Sequence, residues 1–383
     1  MARLGDICTI QSGGTPSRGN KDYWDNGTIP WVKISDFSGK YLDHTSEKIT
    51  QAGLENSSAK IFSKGTILYT IFATLGETCI LDIDATTNQA VAGLKLNDES
   101  VSLDYLYYYL LSKKDYVNEI GRGVAQNNIN MKILRELEIH IPSEEDQAKA
   151  TKVLNKVYEL IALRKEQLAK LDQLVKSRFI ELFGDPVQNP FDWDTKPLLE
   201  MGFCKNGMNF HTGDSGIEIH CLGVGDFKDY SVIDGTDHLP TISLNEAPPA
   251  ESMLQDGDIV FVRSNGNKAL VGRCLLVYPR STPTTYSGFC IRYRLTSSDV
   301  NSVYLLRVLK TDSMRKKMAG RGANIQNLNQ QILATLDIPL PPIAQQQQFA
   351  VFVEQTDKSK LAIQQSLNKL ELLKKSLMQE YFG

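Results

Sequence analysis

The sequence repeats itself at a fixed spacing of 199 residues, and this repeat limits the fold more than any other feature. The stretch GRGVAQNNINMKILRELEIHIPSEEDQ begins at Gly121, and GRGANIQNLNQQILATLDIPLPPIAQQ begins at Gly320. In the same register, KLDQLVKSRFIELFG ends at Gly184 and KLELLKKSLMQEYFG ends at Gly383. Self-similarity at one spacing without gaps predicts a tandem duplication, in which the two halves of the chain fold alike.

The front parts of the two copies keep the repeat only loosely. SKGTILYT aligns with QDGDIVFV when Gly65 is paired with Gly257, which is a spacing of 192 residues rather than 199. The copies have therefore diverged in length and chemistry upstream of the constant region. A chain of 383 residues is also longer than one hydrophobic core usually organises, so we expect two domains.

Composition narrows the setting in which such a chain works. The longest apolar runs, LDYLYYYLL and DIVFVR, are too short to cross a bilayer, and MARLGDICTI lacks the apolar core of a signal peptide. We therefore expect a cytoplasmic protein without a membrane partner. The six cysteines form no C-x-x-C pair and have no histidines at ligand spacing, which predicts reduced thiols rather than disulfides or a metal site.

The rear part of each copy is predicted to be one long helix. Ser143 is placed to cap the first helix, and Gly184 with Pro186 is placed to stop it. Apolar residues at spacings of three and four make a heptad stripe on both helices. On the first helix the stripe comprises Leu154, Val157, Ile161, Leu168, Leu171, Val175 and Leu182, and on the second Val353, Ile363, Leu367, Leu370 and Leu377.

A helix with one narrow apolar stripe needs a partner, and the other copy offers the matching surface. If a rough two-fold axis relates the copies, the two helices pair antiparallel as a coiled coil, about 57 Å long at ~1.5 Å per residue. The predicted class is α+β, with two mixed α/β domains at residues 1–142 and 185–341 and spacer helices at 143–184 and 342–383. The alternative is an ordinary helical hairpin inside a single core.

Four stretches follow one another in a characteristic order along the chain. They are LGDICTIQSGGTPSRGNKDYWDNGTIPWVKISDF from Leu4 to Phe37, GTILYTIFATLGETCIL from Gly65 to Leu81, TTNQAV from Thr86 to Val91, and DIPLPPIAQQQQF from Asp337 to Phe349. Their order and duplication resemble the specificity subunits of type I restriction-modification systems over essentially the whole chain. The second globular part, PLLEMGFCKNGMNFHTGDSGIEIHCLGVGDF, follows the family's opening pattern loosely.

The resemblance implies a function for each part of the chain. It implies two target-recognition domains that read a bipartite asymmetric DNA site, and no enzymatic activity in this chain. It also implies docking of two copies of an adenine methyltransferase subunit and, in the full complex, of a restriction-translocation subunit. The cofactors, S-adenosylmethionine and ATP with Mg, would then be bound by those partners and not by this chain.

The duplication fits that function by a separate physical route. A protein that holds two identical partners needs two alike docking surfaces, whereas a protein that reads two unlike half-sites needs two unlike reading surfaces. The constant rear parts and the divergent front parts have these two properties. Because the net charge is −3, we expect the partners to supply much of the phosphate contact.

Polar and cationic loops are the candidate DNA contacts, because Arg, Lys, Asn and Gln read base edges while Ser, Thr and backbone amides position phosphates. In the first domain the candidates are Ser12, Thr15, Ser17, Arg18, Lys21, Lys33, Asn88 and Gln89. In the second domain they are Arg263, Ser264, Asn265, Asn267 and Lys268, within the loop of a predicted hairpin between DIVFV and RCLLV. Such loops also commonly serve only to connect strands.

The duplicated GRG motif adds Arg122 with Asn128 in one copy, and Arg321 with Asn327 in the other. Two different half-sites would not be read by identical residues. We therefore expect Arg122 and Arg321 to contact phosphate or to organise their loops rather than to select bases.

Motifs for catalysis are missing from the sequence. NPF at Asn189 lacks the second proline of the pocket that holds a flipped adenine, and no G-x-x-x-x-G-K-[ST] motif is present to bind ATP. Two other functions remain open on the residues alone. They are a stand-alone nuclease or methyltransferase with an unrecognised site, and a protein-protein adaptor that does not bind DNA.

Overall fold

The computed structural model describes residues 1–121, 128–211, 213–227, 231–319 and 327–383. Contacts between Cα atoms divide the chain into two units, Met1–Glu166 with Gln364–Gly383 (the N-terminal unit) and Gln167–Ile363 (the C-terminal unit). Both long helices contribute to both units. The division into four segments at residues 142, 184 and 341 stays a prediction.

The N-terminal unit contains mixed sheets covered by helices. Its strands are β1 (Ala2–Arg3), β2 (Cys8–Ser12), β3 (Ile29–Val32), β4 (Tyr41–Leu42), β5 (Glu47–Ile49), β6 (Ile67–Thr70), β7 (Thr78–Leu81), β8 (Thr86–Thr87), β9 (Val91–Leu96) and β10 (Glu138–Ile139). Its helices are α1 (Leu4–Ile7), α2 (Gln51–Glu55), α3 (Leu103–Ser112), α4 (Lys114–Gly121), α5 (Met131–Glu136) and the start of α6 (Glu144–Phe183). The sheet orders are β2-β9-β6-β7-β4, β5-β3-β8 and β1-β10.

The C-terminal unit repeats this plan strand for strand. Its strands are β11 (Thr195–Pro197), β12 (Gly202–Asn206), β13 (Ile217–Leu222), β14 (Val232–Asp234), β15 (Thr241–Leu244), β16 (Asp258–Val262), β17 (Cys274–Tyr278), β18 (Thr284–Tyr286), β19 (Cys290–Leu295) and β20 (Asp337–Pro339). Its helices are α7 (Ser302–Leu309), α8 (Asp312–Ala319), α9 (Gln330–Ala334) and the start of α10 (Ile343–Phe382). The sheet orders β12-β19-β16-β17-β14, β15-β13-β18 and β11-β20 match those of the first copy. The predicted α+β tandem repeat is confirmed.

We call the globular part of each unit, without the long helices, a module. Within each module, side chains that alternate along the central strands pack into two separate cores. Ile67 and Tyr69 of β6 face the core that contains α3, and Leu68 faces the core on the side of the three-stranded sheet. Because both faces are covered, β6 and β16 are buried along their whole length. This arrangement explains why these strands, apart from Asp258 at the start of β16, consist of apolar or β-branched residues rather than alternating with charged ones.

The tyrosine-rich helix α3 packs in the core of the N-terminal unit. Ser102 caps it by accepting a hydrogen bond from the Tyr105 backbone N–H at 3.1 Å, and α7 is capped by Asn301 in the same way. The ring of Tyr105 lies 5.0 Å from that of Phe382, at the end of α10. The C-terminal turn of α10 is therefore part of the N-terminal core.

Within the N-terminal unit, α6 and α10 run antiparallel. Leu154 of α6 shares a core with Phe382, and Lys374 lies with its Nζ 5.6 Å from the ring of Tyr158. Further along α6, Lys165 forms an ion pair with Glu371 at 3.3 Å. Contacts nearer the C-terminus of α6 are therefore made by residues nearer the N-terminus of α10.

Within the C-terminal unit, the other portions of the same helices are also antiparallel. Asp172 forms an ion pair with Lys360 at 2.6 Å, and Phe179 lies 5.7 Å from Phe349. Phe179 and Phe183 also contact Tyr304 of α7, with ring distances of 5.9 and 4.9 Å. The end of α6 is therefore built into the C-terminal core.

The residues predicted to form the helix seam are all removed from solvent at least in part. The buried ones are Leu154, Val157, Ile161, Val175, Val353 and Leu367, and the half-buried ones are Leu168, Leu171, Leu182, Ile363, Leu370 and Leu377. At the start of α6, the Ser143 hydroxyl accepts a hydrogen bond from the Asp146 N–H at 3.2 Å. At its end, Gly184 has a φ of +73°, a left-handed conformation that glycine adopts without strain.

The C-terminal core contains a buried cluster of charged residues. Arg292 is 0% exposed, and its Nη1 lies 4.0 Å from an oxygen of buried Asp258. Arg294 donates to the same carboxylate at 2.7 Å. At the place of Arg292 in the first copy stands Gly93, against which the Phe62 ring packs. The two copies therefore place different side chains at the same position of equivalent sheets.

Candidate DNA interface

The candidate loops of the N-terminal module converge at one end of its five-stranded sheet. β2 and β6 finish at this end while β7 and β9 begin there, because Ser12 pairs with Ala92 and Thr70 with Val91. The loop after β2, the β6–β7 hairpin loop and the residues before β9 therefore lie together. We call this the loop end of the sheet, and β12, β16, β17 and β19 form the equivalent loop end of the C-terminal module.

The loop after β2 is fastened to the sheet by its backbone. Gly13 donates to the Val91 carbonyl at 3.0 Å, and Gly14 donates to the Thr87 carbonyl at 2.8 Å. A Cβ atom on Gly13 would lie 1.9 Å from Thr87 Oγ1, so a larger residue would break this attachment. The loop therefore leaves the sheet from a fixed point.

The same attachment recurs in the C-terminal module. Gly207 donates to the Cys290 carbonyl at 3.0 Å, and Met208 donates to the Tyr286 carbonyl at 3.0 Å. These acceptors stand 199 positions after those of the first copy. The two modules thus share the frame that carries their loops.

Arg18 is held on an aromatic platform at the N-terminal loop end. Its guanidinium carbon lies 3.8 Å from the centre of the Trp24 ring and 4.6 Å from that of Trp31, and the two indoles meet edge to face. Its Nη1 donates to Glu47 at 2.5 Å. Because 51% of its side chain stays exposed, Arg18 is oriented yet open to a ligand.

Glu47 also binds the second predicted cation of this cluster. Lys33 Nζ donates to the other carboxylate oxygen of Glu47 at 2.7 Å. Desolvation raises the pKa of Glu47, but the hydrogen bonds from Lys33 and Arg18 outweigh it and hold the pKa below its usual value. Glu47 is therefore a carboxylate at neutral pH, and the trio carries one net positive charge.

The remaining candidates of this module differ in how their side chains are used. Thr15 donates to the Gln89 side chain, which orders the two loops against each other. Asn88 Oδ1 accepts from the Ala90 N–H at 3.0 Å, so this oxygen holds a turn. Ser17 and Lys21 are exposed, and Ser12 is half-buried at the end of β2.

In the C-terminal module, the predicted hairpin between β16 and β17 is confirmed by their antiparallel pairing. Its loop is partly ordered by its own amides, because Asn265 Oδ1 accepts from the Asn267 N–H at 2.8 Å and Asn267 Oδ1 accepts from the Ala269 N–H at 3.1 Å. Asn267 and Lys268 are exposed, while Ser264 is half-buried. The amide oxygens of Asn265 and Asn267 are thus engaged within the loop itself.

The described end of the duplicated GRG motif lies against the hairpin loops. Ile129 donates to the Ile71 carbonyl at 3.1 Å and so places Asn128 beside Phe72. In the second copy, Leu328 donates to the Arg263 carbonyl at 2.9 Å and places Asn327 beside that loop. Arg122 and Arg321 lie outside the described residues.

Two exposed aromatic residues at the loop ends were not among the predicted contacts. Phe289 is 61% exposed, and its carbonyl accepts from the Arg263 N–H at 2.8 Å, which places it between two loops. Phe72 is 41% exposed in the β6–β7 loop. The signal in the sequence is an aromatic residue directly after turn residues, as in YSGF before β19.

The two loop ends carry different chemistry on equivalent frames. Asn88 and Ser287 donate backbone hydrogen bonds to Val32 and Leu222 respectively, which aligns these positions. By this alignment Trp31 and Lys33 of the first copy correspond to Cys221 and Gly223 of the second. The platform under Arg18 is thus specific to the N-terminal module, and the long polar hairpin loop to the C-terminal one.

Residues suited to metal or thiol chemistry are not grouped at these loop ends. Within the described ranges, no three His, Cys, Asp or Glu side chains are placed to hold a metal ion. Burial raises the pKa of the Cys79 thiol to about 12, and burial followed by the Asp98 charge does the same for Cys8. The described helices also include none that is long and apolar enough to span a membrane.

Two solved structures share this fold along the full chain. The S subunit of a type I restriction-modification system from M. genitalium superposes with a TM-score of 0.57 at 15% identity, covering 100% of this chain and 95% of that one. A second chain, from a structure of a type I R-M system, has a TM-score of 0.60 at 17% identity and covers 96% of its own length. At these identities the likeness concerns the fold alone.

Proteins that are similar in sequence are also named specificity subunits of type I restriction enzymes. The type I restriction enzyme MjaIX specificity subunit of Methanocaldococcus jannaschii is 31% identical over 229 residues, which are 55% of this chain and 52% of that protein. The chain thus matches about half the length of this relative. The StySPI specificity subunit of Salmonella potsdam is 24% identical over 318 residues, 76% of this chain and 67% of that protein.

A family description matches both copies of the repeat. The type I restriction modification DNA specificity domain matches residues 1–173 and residues 229–372, so each match covers loop-bearing strands and a long helix. These spans take in most of the chain, including the N-terminal loop end and the β16–β17 hairpin loop. The chain therefore belongs to the type I restriction modification DNA specificity domain family.

Proposed function

We propose that this chain is the DNA-recognition subunit of a type I restriction-modification complex and reads a bipartite asymmetric site. The N-terminal loop end reads one half-site and the C-terminal loop end reads the other. The observation that supports this best is the pairing of equal frames with unequal loops. Two copies of one backbone frame carry an Arg18 platform in one module and a polar hairpin loop in the other.

The base contacts are assigned by the chemistry of each loop. Arg18 presents a stacked, oriented guanidinium, which suits bidentate contact with a guanine edge in the major groove. The Arg263–Lys268 loop presents amides and cations, which suit adenine and guanine edges. Asn128 and Asn327 lie beside these loops, and Arg122 and Arg321 are assigned to phosphate contact.

The chemistry of modification is assigned to partner subunits. Two adenine methyltransferase subunits dock on the parts of the chain that keep the 199-residue register, and a restriction-translocation subunit completes the complex. S-adenosylmethionine and ATP with Mg belong to these partners, and the assembly works in the cytoplasm. The net charge of −3 fits a reader whose partners supply much of the phosphate attraction.

The test is to co-express the chain with the methyltransferase subunit encoded beside it and to map methylated adenines across the host genome. We expect one gapped, asymmetric motif. Exchange of residues 1–142 for another such domain is expected to change one half of that motif and to leave the other half intact.

Other outcomes would identify other functions. Methylation or cleavage by the purified chain alone would show an enzyme. The absence of salt-dependent DNA binding, even with the methyltransferase subunit present, would show a protein-protein adaptor, an alternative that the family membership does not favour.

A further inference from the structure

A buried glutamine joins each long helix to the module that it leaves. Gln147, in the first turns of α6, is 1% exposed. Its Oε1 accepts from the Ser102 N–H at 2.8 Å, and its Nε2 donates to the carbonyls of Ser100 and Pro142 at 2.8 and 3.1 Å. One side chain thus ties three backbone groups that belong to a loop, a helix cap and a linker.

The second copy repeats these contacts at the same register. Gln346 is 0% exposed, its Oε1 accepts from the Asn301 N–H at 2.9 Å, and its Nε2 donates to the carbonyls of Asp299 and Pro341 at 3.1 and 2.8 Å. Gln346 stands within the run AQQQQF, in which the other three glutamines are exposed. The burial therefore follows from its place in the fold and not from local composition.

A tyrosine makes a second tie across the same linker. The Tyr105 hydroxyl donates to the His140 carbonyl at 3.1 Å, and the Tyr304 hydroxyl donates to the Pro339 carbonyl at 2.9 Å. Both tyrosines project from the short helix, α3 or α7, whose cap residue the glutamine holds. The few residues between β10 and α6, and between β20 and α10, are thus fastened from two sides.

Burying an amide side chain is unfavourable unless its groups are hydrogen-bonded, because any group left without a partner costs free energy. An apolar side chain of similar size would serve packing alone. The three directed hydrogen bonds add what packing does not, which is a fixed orientation of the helix axis on the module. All three hydrogen bonds form in both copies, so both junctions are fixed in the same way.

A small change at this junction becomes large along the helix. Each long helix has 40 residues, or ~60 Å at ~1.5 Å per residue. A tilt of about 5° at the junction displaces the far end by roughly 5 Å, which exceeds the ~3.4 Å rise of one base-pair step. A reader that distinguishes gap lengths by single base pairs therefore needs a stiff junction.

We propose that Gln147 and Gln346 are positioning residues that fix the number of base pairs allowed between the two half-sites. This inference rests on the proposed function, since it concerns the gap of the bipartite site. The glutamines contact neither DNA nor partner in this role. They act by holding each long helix at one angle to its module.

The experiment uses the complex of this chain with its methyltransferase subunit. Duplexes carry the mapped motif with its natural gap, or with a gap one base pair shorter or longer. The variants are Gln147→Met, Gln346→Met and the double substitution, which keep side-chain volume and remove the three hydrogen bonds. The matched control is Gln347→Met, on the adjacent exposed residue of α10.

We expect the ratio of activity on the natural gap to activity on the altered gaps to fall roughly tenfold in the double variant. The net loss of about one hydrogen bond at each junction would produce a change of this size. Its base preference within each half-site and its salt dependence should remain those of the unsubstituted complex. Unchanged gap discrimination would overturn the proposal. So would an equal loss of activity on all three gaps that follows a lower melting temperature, because that is the effect of a structural role alone.

A second pair of variants keeps the test decisive if the methionine variants do not assemble. Tyr105→Phe with Tyr304→Phe removes the other tie and keeps the rings, and it should relax gap discrimination in the same direction by a smaller factor. Unrelaxed discrimination in this pair would then refute the proposal. If the unsubstituted complex yields no gapped motif at all, the proposed function itself fails, which is a different result.

Discussion

The substitution Arg18→Lys tests whether the N-terminal loop end reads bases. Lysine keeps the positive charge and can keep the ion pair with Glu47, but it loses the planar fork and the stacking on Trp24 and Trp31. A phosphate contact would tolerate this change, because it depends mainly on charge. A base contact would not, because it depends on two parallel hydrogen bonds.

The expected magnitude follows from the two interactions that are lost. A bidentate guanidinium contact to guanine contributes ~1–3 kcal/mol of discrimination, and stacking on an exposed indole ~0.5–1 kcal/mol of orientation. A loss of about 2 kcal/mol corresponds to roughly 30-fold weaker binding of the cognate site. The effect should disappear on duplexes in which the half-site read by the N-terminal module is already replaced.

The assay is fluorescence anisotropy of labelled duplexes with the methyltransferase complex over a range of salt concentrations. The matched control is Arg280→Lys in the C-terminal module. The Arg280 guanidinium lies 4.9 Å from the centre of the Tyr278 ring and forms ion pairs with Asp234 and Asp256, but it stands at the end of its sheet opposite the loop end. This control should leave affinity and salt dependence unchanged.

Two results would refute the assignment of Arg18. One is an equal effect of Arg18→Lys and Arg280→Lys on cognate binding. The other is a uniform loss on all sequences with a shallower salt dependence, which would place Arg18 among phosphate contacts. A changed preference in the half-site read by the C-terminal module would contradict the division of labour between the modules.

Three further predictions concern other parts of the chain. Asp258→Asn leaves buried Arg292 without a compensating charge and should destabilise the C-terminal core by about 3–5 kcal/mol. Hydrogen exchange in β16 and β19 should become faster, and a fall in the free energy of unfolding below about 1 kcal/mol would contradict the prediction. Phe289→Ala should weaken cognate binding about fivefold through lost apolar base contact, whereas Phe203→Ala on strand β12 should not; equal effects in the anisotropy assay would sink this role. The thiols should react negligibly with a disulfide reagent near pH 8 in the native protein and completely after unfolding, because burial raises their pKa; rapid native labelling of Cys79, whose pKa lies at about 12, would show that its strand opens readily.

The sequence could predict the parts of this fold that follow from periodicity and repetition. The constant register predicts that both halves share one plan, and the caps at Ser102 and Ser143 lie where their spacing to the following helix indicates. The hairpin around the Arg263–Lys268 loop follows from its turn residues between two apolar runs. Each of these features is decided by residues close together in the chain.

The remaining features depend on residues that are distant in sequence. Arg18 is oriented by Glu47, 29 positions away, and no pattern in the sequence links the two. The alternation in CIRYRL would place arginines outward, yet Arg292 points into the core because Asp258 on the neighbouring strand receives its charge. The heptad pattern predicts a seam between two helices, but it does not show that Phe183 also enters the core beneath Tyr304.

The 199-residue register already holds at Thr87 and Tyr286, the last residues of β8 and β18, and continues to the last turn of each long helix. The loop after β2 and the β6–β7 hairpin loop precede these strands, as do their counterparts in the second copy. An insertion or deletion there can reshape a loop without altering the phase of the helix that follows, whereas one residue added inside α6 would rotate its apolar stripe by about 100°. Mutation can therefore explore new binding surfaces in the front half of each copy while the geometry of assembly is inherited unchanged.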